Sequence, residues 1–152
     1  MNAVSDIADL SELSGIEQLR YFLGQDARPI GIGMTLGFKL VELEEGRVVF
    51  EGTPGKHVYN PIGTVHGGYA ATLLDSAVGC AVHSMLKAGQ GYTTLELKVA
   101  YHKAMTEQTG PVRAEGKIIT LGRRAAFAEG RLTDAAGKLY ASATSTLLVM
   151  ER

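Results

Sequence analysis

Residues 34–53, MTLGFKLVELEEGRVVFEGT, alternate apolar and polar side chains on both sides of the turn signal EEG. That is the pattern of a two-stranded hairpin. From Val65 to about Lys87 the alternation gives way to a proline-free run that is apolar nearly all round. It is too long for a strand and predicts the main helix, roughly 30–35 Å long at 1.5 Å per residue and wrapped by other structure. Strand-like runs return near 92–103, 111–121, 124–133 and 138–149, separated by TEQTG, LGRR and DAAG. Upstream, Ser14 and Glu17 form an S-x-x-E capping box, Ile16, Leu19, Phe22 and Leu23 follow at helical spacing, and Gly24 is a stop signal. This predicts a short N-terminal helix within an extension covering residues 1–29. Residues 30–152 then form an α+β domain, an antiparallel sheet curled around one long central helix.

Composition narrows the function classes. The chain has 152 residues with 45% hydrophobic and 20% charged, a size that buries about 68–70% of its unfolded surface in one domain. Its net charge of −1 offers no electrostatic footprint for nucleic acid or an anionic membrane. The single cysteine, Cys80, has no intramolecular partner, and MNAVSDIADL lacks a basic region ahead of an apolar core. A cytoplasmic protein is the expectation. The stretch Val65–Leu86 has the length of a membrane span, but three glycines, Asp75 and two histidines within it make insertion costly. No repeat or linker divides the chain.

Asp75 is the one carboxylate in NPIGTVHGGYAATLLDSAVG. An ionised carboxylate in an apolar helix must be paired, neutral or in use. The structural alternative is capping by a nearby hydroxyl such as that of Thr72. Ala71, Thr72, Val78 and Gly79 flank Asp75 on the same face, with Gly68 two turns back, and these small neighbours leave room for a ligand. At the helix entry, His66, Gly67 and Gly68 carry backbone N–H groups without intrahelical partners, which favours negative charge there. Simple helix-to-sheet packing also accounts for the two glycines.

NPIGTVHGG leading into YAATLLDSA, with Thr94 and KVAYHKAM on the following strand, resembles the hotdog-fold acyl-CoA thioesterases of the phenylacetate-pathway type. The resemblance covers about residues 30–150, so the main domain is expected to be a hotdog thioesterase domain. It implies hydrolysis of acyl-CoA thioesters, with coenzyme A present only as part of substrate and product and no separate cofactor. It implies a homodimer or dimer of dimers joined edge to edge by their sheets, with sites between subunits. It assigns the oxyanion-binding N–H to Gly67, places the Asn60 amide near the thioester or the reactive water, and puts Thr94 at a hydroxyl position often held by serine. For Asn60, bonding to its own loop is the plain alternative; for Thr94, β-propensity is. Thr94 is expected to share a strand face with Glu96 and Lys98, opposite Thr93.

Geometry adds a constraint. Gly67 and Asp75 are eight residues apart, roughly 12 Å along one helix, and His66 and Asp75 face about 180° apart. One chain does not bring them round a single carbonyl. An antiparallel copy of the helix across a two-fold axis would set its Asp75 beside the first copy's Gly67, giving two sites.

His66 reads better as a residue that holds the helix entry than as a general base, because Asp75 already supplies one. Cys80 and His83 stand at i, i+3, but far from the helix N-terminus that would lower a thiol pKa, so Cys80 reads as structural. His57 and His102 are isolated and no metal is expected. Arg123 and Arg124 in LGRRAAF suit either a solvated turn or the phosphates of coenzyme A. The expected mechanism is attack on a thioester by water deprotonated by Asp75, or by Asp75 itself through an anhydride. A thiol of pKa about 8.5 leaves without a strong acid. Two other classes share the pocket: a hotdog dehydratase or hydratase, for which no second acid/base is evident, and a non-catalytic acyl-CoA sensor.

Overall fold

In the computed structural model, which describes residues 10–23 and 31–152, the N-terminal helix is α1 (Gly15–Arg20). The Ser14 N–H and hydroxyl both donate to the Glu17 carboxylate, at 2.9 and 2.6 Å. Gly24, the expected stop, lies outside the described residues. A second short helix, α2 (Ile32–Leu36), occupies residues expected to begin the hairpin. Gly37 closes it in the left-handed conformation, φ +74°, with its N–H on the Gly33 carbonyl at 2.8 Å. This glycine cap overrides an alternating pattern only three residues long there.

The hairpin itself is β1 (Phe38–Glu44) and β2 (Arg47–Gly52), antiparallel around Gly46 at φ +77°. A 3₁₀ turn, Lys56–Val58, leads into the long helix α3 (Gly67–His83). α3 is shorter than the apolar run at both ends. Val65 is extended, bridged to Tyr59, with its N–H on the Met105 carbonyl at 2.9 Å. At the other end the Ser84 hydroxyl donates to the Ala81 carbonyl and accepts the Gly46 N–H, at 2.7 and 2.8 Å, so the helix terminus is tied to the hairpin turn. The remaining strands are β3 (Gln90–Tyr101), β4 (Val112–Leu121), β5 (Ala125–Asp134) and β6 (Leu139–Glu151). All pairings are antiparallel, in the order β1-β2-β4-β5-β6-β3.

The sheet wraps α3, whose Leu73, Leu74, Ala77 and Val78 are wholly buried with Val112, Leu132 and Leu147 of the strands. Each of the larger side chains contributes about 1.5–3 kcal/mol by leaving water. Beneath Ala77 and Val78 two glycines face each other in register, Gly116 of β4 and Gly130 of β5. A Cβ on Gly116 would overlap the Ala77 carbonyl, and one on Gly130 would press on Leu74 and Val78 at 3.1 Å. At Gly116 the helix backbone therefore sits directly against the sheet backbone, while Gly130 makes room for the Leu74 and Val78 side chains. α1 docks on the other end of α3: the Gly15 N–H donates to the Leu86 carbonyl at 2.9 Å, and Gln18 Oε1 bonds His83 Nε2 at 2.9 Å. Among the described residues no helix is long and apolar enough to cross a membrane.

β3 is an edge strand and carries a bulge. Thr94 pairs with Leu147 but Glu96 pairs with Thr146, so Leu95 is an extra residue without its own partner. The expected shared face of Thr94, Glu96 and Lys98 is therefore wrong. Thr94 lies on the helix side with buried Leu147, whereas Glu96 and Lys98 lie on the outer face opposite Thr146 and Thr144. A bulge breaks the two-residue alternation on which the expectation rested.

Candidate active site

The loop before α3 is built by Asn60. Its amide donates to the Thr64 hydroxyl at 2.9 Å, and its carbonyl oxygen accepts the Ile62 and Thr64 N–H groups at 3.1 and 3.2 Å. The side chain is thus engaged in its own loop, the arrangement an Asx turn favours. That loop delivers His66 as the N-cap of α3, with the His66 N–H on the Val58 carbonyl at 2.8 Å. The His66 Nδ1 accepts the Gly68 N–H at 2.8 Å, an acceptor role that leaves the ring proton on Nε2. The Gly67 carbonyl accepts the Tyr101 hydroxyl at 2.7 Å. The Gly67 N–H is left without a protein acceptor among the described residues. It stands at the positive end of a 17-residue helix, where a free N–H favours nearby negative charge.

Two turns along α3, Asp75 is half-buried. The Thr94 hydroxyl donates to its Oδ1 at 3.0 Å. Thr72 does not cap this carboxylate, as one reading allowed; its hydroxyl turns back to the Gly68 carbonyl at 2.8 Å. A threonine in mid-helix bonds its own preceding turn more readily than a side chain further along. Tyr92 and Cys80 lie beside Asp75, and burial pushes the Cys80 thiol up to about 12. Such a thiol is no nucleophile near neutrality. His83 is held by Gln18 and by an edge-on contact with Tyr92 at 5.5 Å. Burial, and then the charge of Arg152, lower its pKa.

The chain therefore carries two separate clusters. One gathers Asn60, His66, Gly67, Gly68 and Tyr101 at the start of α3; the other pairs Asp75 with Thr94. Arg123 and Arg124 are exposed at the β4–β5 turn and line a groove of about 530 Å³ with Leu148, Val149, Met150 and Glu151. The Arg124 carbonyl accepts the Val149 N–H at 2.8 Å, fixing the backbone but leaving both guanidinium groups on the surface. Since Thr94 and Ala126 both pair with Leu147, the turn lies at the Asp75 end of the sheet, about 10 Å from β3 across one intervening strand. Sequence reasoning gave Tyr101 no role. Its position was legible, but which face it takes was not, because that face depends on the bulge at Leu95.

A sheet of this order wrapped around a single long helix is the hotdog fold, here with polar groups gathered at the helix entry and a carboxylate at its middle. The profile of the thioesterase superfamily matches residues 62–141, and the chain belongs to that superfamily. It is a thioester hydrolase. It is 27% identical over 123 residues to 1,4-dihydroxy-2-naphthoyl-CoA hydrolase of Listeria monocytogenes, covering 81% of this chain and 98% of the relative. Among solved structures, a phenylacetic acid degradation-related protein of Ralstonia eutropha superposes with a TM-score of 0.74 at 26% identity, covering 89% of this chain and 98% of the other. The PaaI protein of Escherichia coli shares the fold, with a TM-score of 0.71 at 18% identity over 78% of this chain and 83% of that one.

Proposed function

We propose that this chain is an acyl-CoA thioesterase that works as a homodimer, or as a dimer of dimers, with each site shared between two copies. The observation that carries this reading is the separation of the two clusters along α3. Asp75 and Gly67 lie eight residues apart, roughly 12 Å on one helix, yet a thioester carbonyl needs a donor and a base on opposite sides of the same carbon. A second copy pairing through the open edge of β3 would run its α3 antiparallel to the first. Its Asp75 would then stand across the carbonyl from the first copy's Gly67 N–H.

In that site the Gly67 N–H receives the developing oxyanion at the helix terminus. Asp75, held by the Thr94 hydroxyl, either takes the proton of the attacking water or attacks the carbonyl itself. The C–S bond breaks and the thiol leaves as thiolate, with no cofactor required. The water route gives the free acid directly; the other gives an Asp75 anhydride that a water then cleaves to free acid. Arg123 and Arg124 would receive phosphates of coenzyme A, Gly68 would let the substrate approach the helix entry, and Asn60 would act by shaping the loop that carries His66. The single cysteine and the near-neutral charge suit a cytoplasmic enzyme.

The test is release of free thiol across a panel of aromatic and aliphatic acyl-CoAs. The wild-type protein should hydrolyse at least one class, and Asp75→Asn should lower kcat by about 100-fold or more while retaining substrate affinity. Turnover by Asp75→Asn at the wild-type rate would remove Asp75 from the reaction.

A further inference from the structure

Gly67 has an ordinary negative φ, since it is absent from the residues of positive φ, so its lack of a side chain is not explained by backbone strain. What occupies the space is Tyr101. A Cβ on Gly67 would lie 3.0 Å from the Tyr101 hydroxyl oxygen and 3.1 Å from the ring carbon that bears it. The ring lies against the glycine, and its hydroxyl holds the Gly67 carbonyl at 2.7 Å. The peptide joining Gly67 to Gly68 is consequently gripped at both ends, its carbonyl by Tyr101 and its N–H by His66 Nδ1 at 2.8 Å. The preceding residue is fixed too, with the His66 N–H on the Val58 carbonyl at 2.8 Å. Two consecutive glycines in the first turn of the helix leave the backbone more freedom there than residues with side chains would.

We propose that Tyr101 is a positioning residue that aims the Gly67 N–H by clamping the Gly67–Gly68 peptide against the start of the helix. This rests on the reading of Gly67 as the oxyanion donor. The bulge at Leu95 makes the clamp available. Thr94 and Tyr101 are seven residues apart, an odd separation that places two residues of a regular strand on opposite faces. With Leu95 as an extra residue, both face α3, one reaching Asp75 and the other Gly67. One strand thus supports both halves of the chemistry. Tyr101 is 55% exposed in the single chain, so its hydroxyl adds little to that chain's core and its removal should leave the fold intact.

The experiment uses Tyr101→Phe, which keeps the ring and deletes the hydroxyl. Because a small misplacement of a reacting group is amplified in rate, kcat should fall about tenfold while KM and the melting temperature stay near the wild-type values. A second readout uses Asp75→Asn, which is expected to hold intact substrate. The carbonyl stretch of a ¹³C-labelled thioester, read by isotope-edited infrared difference, should move to higher frequency when Tyr101→Phe is added, reporting a weaker donor. Wild-type kcat in Tyr101→Phe, or a carbonyl stretch that binding to Asp75→Asn lowers and that Tyr101→Phe leaves unmoved, overturns the clamp. A carbonyl stretch in Asp75→Asn at the frequency of the free thioester overturns the reading of Gly67 as the donor, and the clamp's catalytic role with it.

Discussion

Asp75 depends on one hydroxyl. With the Thr94 oxygen 3.0 Å from Oδ1, the carboxylate keeps a fixed orientation while its other oxygen can face a ligand. Removing a neutral donor from a charged acceptor costs about 1.5–3 kcal/mol, so Thr94→Val, nearly isosteric, should lower kcat roughly 10- to 100-fold with a smaller change in KM. Steady-state kinetics on the best acyl-CoA of the panel checks this, and Thr94→Ser should restore most of the rate. Asp75 was legible because a charge inside an apolar helix is costly and conspicuous. Thr94 was named through family resemblance, since a threonine on a strand announces nothing by itself. Tyr101 was hidden for a physical reason: its contact with Gly67 joins residues 34 positions apart, and its face depends on an extra residue that carries no glycine or proline to mark it.

The elements were legible in proportion to their regularity. The hairpin and the last three strands followed from alternation, and α3 from an unbroken apolar run. Its ends were not, because apolar character continues past both of them: Val65 is buried as a strand-like bridge and Leu86 as part of a turn. Caps decide such boundaries, and the caps here are unusual, a histidine ring at the start and a serine tied to a distant turn at the end. The docking of α1 on α3 also gives a pH dependence. Burial lowers the pKa of His83, so the unfolded chain takes up a proton more readily than the folded one. Stability from this group is complete above the ordinary histidine value of about 6.5 and declines as pH falls below it. Urea midpoints should therefore drop between about pH 7.5 and pH 5.5, and His83→Gln should flatten that slope. An equal slope in the variant would assign the acid sensitivity to other groups.

At the scale of the whole molecule, the proposal that each site is shared between two copies makes a numerical prediction. Asp75→Asn chains mixed with Gly67→Ala chains should regain activity in about a quarter of the original sites after random exchange, because half the dimers are mixed and each has one intact site. Thiol release and native mass spectrometry on the same sample read the two quantities together. Mixed dimers with no regained activity would mean that each chain completes its own site. The glycine pair beneath α3 has a different consequence, one for descent. Where a helix rests on side chains, each core replacement shifts it slightly, and the groups it carries drift with it. Of the pair, Gly116 seats α3 backbone on backbone at Ala77 and Val78, two and three residues from Asp75, so the depth of the carboxylate is set there by a contact that side-chain substitutions elsewhere in the core do not alter. Such a lineage is free to trade many of its aliphatic residues and wander in stability while the carboxylate stays at its depth, and the position it must hold to do so has no side chain to change.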